Sequence, residues 1–67
     1  MAIDENTARM LAEAYDETVA EASAQGRPSE EAHREGLTAA AMFLAAMQGM
    51  EDNTARAEVE RLGLKSA

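Results

Sequence analysis

The run Gly36–Met50, GLTAAAMFLAAMQGM, decides the fold. It contains no charged residue, although the 67-residue chain around it has a formal net charge of −7. Wound as a helix, this run is apolar around nearly its whole circumference, and such a helix must be covered on several sides. Leu37, Ala40, Ala41, Leu44 and Met47 fall on one face, and Gly36, Ala39, Phe43, Ala46 and Met50 on a second. Both faces mix small residues with large ones, so neighbouring helices can approach closely. Gly36 costs about 0.8–1 kcal/mol of helix propensity relative to alanine, and close packing is the compensation it points to.

Upstream of this run, Ser29 suits an N-cap, and Glu30 and Glu31 follow where the helix dipole favours carboxylates. Glu30 and Arg34 stand at the i,i+4 spacing of an ion pair. Downstream, Gly49 ends the helix. The stretch Gln25-Gly26-Arg27-Pro28 separates it from an earlier helix, because Gly26 can take a left-handed cap and Pro28 cannot continue a helix. In that earlier helix Thr7, Met10, Leu11, Ala14, Tyr15, Thr18, Val19 and Ala22 form one continuous stripe at spacings of three and one. Beyond Gly49, Ala55, Val59 and Leu62 mark a short third helix. Gly63-Leu64 suits a Schellman ending that folds Leu64 back on Val59. Asn6-Thr7-Ala8-Arg9 recurs as Asn53-Thr54-Ala55-Arg56, which reads as a reused helix start rather than a structural repeat.

The expected fold is therefore all-α: one small domain over 1–67, a three-helix bundle with helices at about 4–24, 30–48 and 53–62 around a largely apolar second helix. At 1.5 Å per residue the first two helices are each on the order of 30 Å long, and the third is about half that. One long helix and one short helix cannot cover a long apolar one. Part of the second helix, near Phe43 or Gly36, should stay exposed, and an exposed patch of that kind marks an interface. Gly36, Ala39, Met42, Phe43, Ala46 and Met50 are the candidate apolar interface, most simply that of a two-fold homodimer. Chain length supports association, since below about 70–80 residues a lone core seldom supplies more than ~3–5 kcal/mol.

Composition narrows the chemistry. The chain has no cysteine, so it offers neither a disulfide nor a thiolate metal site, and its single histidine, His33, precludes an imidazole cluster. No cofactor or metal is expected. Ser29 and His33 are four residues apart, but Ser29 is explained as a cap and no orienting third group accompanies the pair. His33 reads as a surface residue in the polar opening turns. Tyr15 and Phe43 are the only aromatic residues, too few for base stacking. The uncharged run is too short to span a bilayer, which takes about 20 apolar residues. An acidic beginning, Met-Ala-Ile-Asp-Glu, is unlike a secretory signal. A cytoplasmic, non-enzymatic protein without membrane attachment is the expectation.

Charge supplies the remaining signal. Glu13, Glu17 and Glu21 stand at i, i+4 and i+8 of the first helix with Asp16 beside them, and no basic residue follows Arg9 in that helix to relieve the repulsion. These four acids are the candidate partner-binding face, about 6 Å apart along a line and opposite the apolar stripe; a solvated, solubilising face is the plainer reading. Arg56, Arg61 and Lys65 form the one basic fleck, interrupted by Glu58 and Glu60. Acids outnumber bases 13 to 6, which disfavours direct nucleic-acid binding. The expected function is a small acidic binder, regulator or inhibitor of another protein with a basic surface. A phage-type inhibitor competing for a basic nucleic-acid-binding surface belongs to this class. The alternative is a dimeric helix-turn-helix DNA-binding regulator.

Overall fold

The computed structural model describes residues 3–65 and contains three helices: α1, Glu5–Ala24; α2, Ser29–Gln48; and α3, Asp52–Arg61. The all-α three-helix bundle expected from the sequence is the fold, with each boundary within a residue of its predicted place. Residues 1–2 and 66–67, the ends of the expected 1–67 domain, lie outside the described residues. The apolar α2 is the middle element. It packs against α1 and α3, which barely meet each other.

Local chemistry sets the helix ends. Asp4 caps α1, its Oδ1 accepting the Thr7 backbone N–H at 2.7 Å. That hydrogen bond is the main reason the Asp4 carboxyl is held below its ordinary value of 3.8. At the other end Gly26 takes φ +86°, and the Gly26 and Arg27 N–H groups donate back to the carbonyls of Ser23 and Ala22. These are the two bonds of a Schellman cap. Ser29 does not cap α2 as expected: Pro28 occupies the cap position in extended backbone, Ser29 is the first helical residue, and no side chain caps the helix. The reused start also diverges. Asp4 caps α1 with its side chain, whereas Glu51, in the same position before α3, makes no such bond.

The core runs through all three helices. Leu11, Tyr15, Val19 and Ala22 come from α1; Ala32, Leu37, Ala40, Ala41 and Leu44 from α2; and Ala55 and Val59 from α3. Ile3, Met50, Leu62 and Leu64 pack against its edges. Alanine supplies much of this core, and that is why the helices sit close. Closest of all is the crossing at Gly36. A Cβ built there would lie 2.6 Å from Tyr15 Cδ1 and 2.7 Å from Val19 Cγ2, so no side chain fits without displacing them. No helix among the described residues is long and apolar enough to cross a membrane.

Candidate functional site

Among the described residues four large apolar side chains stay exposed, Met42 at 66%, Met10 and Met47 at 42% and Phe43 at 38%. Three belong to α2 and Met10 belongs to α1. The tail of α2 is uncovered because α3 is half its length and α1 can pack on only one side. Between α1 and α2 runs a groove of about 350 Å³ lined by Met10, Glu13, Ala14, Glu17, Thr18, Ala39 and Phe43. A second hollow of about 330 Å³ continues it past Thr18 and Ala39 to Thr38, Met42, Arg34 and Glu35. Small residues form the shared floor, and methionine and phenylalanine stand above it.

The structure divides the expected apolar interface. Ala39, Met42 and Phe43 lie along the groove and its continuation, and Ala46 is exposed on the same helix. Gly36 does not belong there: it is buried against Tyr15 and Val19 inside the molecule, because its missing side chain is what lets α1 approach. Met50 is half-buried and packs against the core edge. Met47 is exposed, although its spacing places it on one face with the buried Leu37, Ala40, Ala41 and Leu44. On α1, Met10, Ala14 and Thr18 were expected in one stripe with Leu11, Tyr15 and Val19. That stripe is wider than one packed helix can cover, so its outer column, Met10-Ala14-Thr18, lines the groove. The i,i+4 spacing of that column, separate from the Thr7-Leu11-Tyr15 column, was the available signal.

The acidic face is also divided. Glu13, Asp16, Glu17 and Glu21 are all exposed. Glu13 and Glu17 form the α1 rim of the apolar groove, while Asp16 and Glu21 are not among its lining residues. The acids expected opposite the apolar stripe thus border its outer column. Among the described residues no lysine or arginine pairs with any of the four.

Elsewhere three of the arginines are engaged. Arg27 pairs with Glu31 at 3.3 Å and Glu35 at 3.1 Å, in place of the expected Glu30–Arg34 pair. Arg27 stands just ahead of α2 and reaches down the column that Glu31 and Glu35 share. Arg56 bonds Glu60 and the Thr38 hydroxyl, and Arg61 pairs with Glu58. The charges that phosphate binding would draw on are therefore partly neutralised within α3 itself.

His33 is not the free surface residue its position suggested. It is half-buried, and its Nδ1 lies 2.5 Å from the hydroxyl of the fully buried Tyr15, with the two rings edge to face. The pair joins α1 to α2 and gives the buried phenol a partner. No group of three or more histidine, cysteine or acidic side chains is gathered for a metal ion among the described residues. No protein-family model, curated protein or solved structure matches this chain.

Proposed function

We propose that the chain is a non-catalytic protein–protein interaction module, a small acidic binder, regulator or inhibitor that engages a positively charged surface on a larger protein. One observation carries the reading: the exposed Met10 and Phe43 share one groove with the unpaired Glu13 and Glu17, and Met42 lines its continuation. Apolar burial supplies affinity there, at about 25 cal/mol per Å² removed from water. Carboxylates on the rim of an apolar patch steer an oppositely charged partner and fix its register. Thioethers at Met10, Met42 and Met47 can repack around an irregular partner surface. A protein that shields a basic nucleic-acid-binding surface belongs to the same class, since carboxylates about 6 Å apart can stand where phosphates would.

The test is affinity for the partner recovered from the native host, measured against salt. Binding should weaken as salt rises, because charges are screened within about 8 Å at physiological ionic strength. Replacing both groove acids, Glu13→Gln with Glu17→Gln, should weaken it further and leave the fold intact. Unchanged affinity in that double variant would remove the acidic rim from the reading.

A further inference from the structure

We infer that the element seated in the α1/α2 groove is a single amphipathic helix with lysine or arginine beside its apolar stripe, an inference that rests on the function proposed above. Shape is the first argument. α1 and α2 are joined by the short connection Gln25–Pro28 and pack as a helical hairpin, and the furrow beside such a pair is where a third helix sits in a bundle. Ala14, Thr18 and Ala39 keep the floor low enough for a helix axis to approach to about 8–10 Å. From Met10 to Thr18 the groove follows α1 for about 12 Å, two turns of a docked helix, before continuing towards Met42. A helix also satisfies its own backbone, whereas the furrow offers an extended strand only the side chains of Glu13, Glu17 and Thr18, too few partners for its row of N–H and carbonyl groups.

Charge complementarity is the second argument. Glu13 and Glu17 stand one turn apart on the rim, unpaired, so cations one turn apart on a docked helix would meet both. A second copy of this chain is a poorer occupant: it brings another net −7, and Arg34 is the only basic residue lining either hollow.

The probe is a blocked synthetic peptide of leucine and lysine in helical register. A peptide of the same composition with the two residues alternating serves as control, and cytochrome c serves as a folded cationic surface. The full chain, labelled at its methionine methyls, is titrated by NMR. The helical peptide should shift Met10 and Met42, which line the groove and its continuation, and leave Met50 in place, and the alternating peptide should not. Phe43→Asp should lower peptide affinity on the order of thirtyfold, and Met42→Asp, at the most exposed of these side chains, provides a second variant that spares the core. The double Glu→Gln variant should flatten the salt dependence.

Equal binding of the alternating peptide, or shifts confined to residues outside the groove, would overturn the inference. So would sedimentation of the free chain as a dimer with Met10 and Met42 protected, which would make a second copy the occupant. If cytochrome c binds through Glu13 and Glu17 while the helical peptide does not, the docked helix is discarded and the function proposed above stands. If neither binds, both are discarded.

Discussion

The two sides of α2 are built from the same kinds of residue and meet opposite fates. On one side Leu37, Ala40, Ala41 and Leu44 are sealed between α1 and α3; on the other Ala39, Met42, Phe43 and Ala46 face the groove or open water. Hydrophobicity does not separate them. The difference lies in what the rest of the chain can reach: one helix of 20 residues and one of 10 cover part of a third that needs covering on most sides. The sealed side carries stability, and the open side is free to carry recognition.

Paired truncations test that contrast most strongly. Leu44→Ala should cost about 2–5 kcal/mol, because the side chain is fully buried. That is comparable with the whole stability of a domain this small, so the cooperative thermal transition should be lost or severely lowered. Met42→Ala, two residues away, should change stability by no more than about 0.5 kcal/mol. Similar losses in the two variants would erase the distinction between the sides.

A somewhat smaller effect is expected at the crossing itself. Gly36→Ala gains roughly 1 kcal/mol of helix propensity, yet its methyl would enter the Tyr15 ring and Val19. Overpacking of this kind typically costs about 1–3 kcal/mol, so chemical denaturation should show no net gain. A clearly stabilised variant would mean that Tyr15 and Val19 yield, and that the α1/α2 contact is looser than the sealed side implies.

Tyr15→Phe comes next, at about 1 kcal/mol, through loss of the hydroxyl that meets His33. Unaltered stability would leave apolar packing alone to hold that side. The smallest effect belongs to the cap. The Asp4 carboxyl is depressed in the folded chain, so its contribution is present above the ordinary value of 3.8 and is lost as pH falls through the lower folded value. Asp4→Asn should keep a cap while removing that part of the acid dependence, read from thermal midpoints across the acidic range.

Much of the architecture is legible in the residues. Gly26 before Pro28, the acids in the first turn of each helix and the Thr7-Leu11-Tyr15-Val19 column locate the helices and one buried face. The site is only half legible. Phe43 is exposed as expected, but Gly36, drawn into the interface, is buried, and Met10 and Met47 are exposed although they share their stripes with buried residues. A glycine within an apolar helix signals close approach without naming the neighbour. A stripe two columns wide does not say which column lies under the packed helix. Nor does His33 disclose its bond to Tyr15, eighteen positions away.

What the sequence by itself determined is local: where helices begin and stop, which are long, and that the middle one carries more apolar surface than its neighbours can hide. Those properties follow from capping, backbone freedom and periodicity, all set within a few residues. Only the tertiary structure decided which side of α2 is left bare and that Glu13 and Glu17 stand beside it. That choice depends on the angle and offset at which α1 crosses at Gly36, and contacts between distant segments fix both.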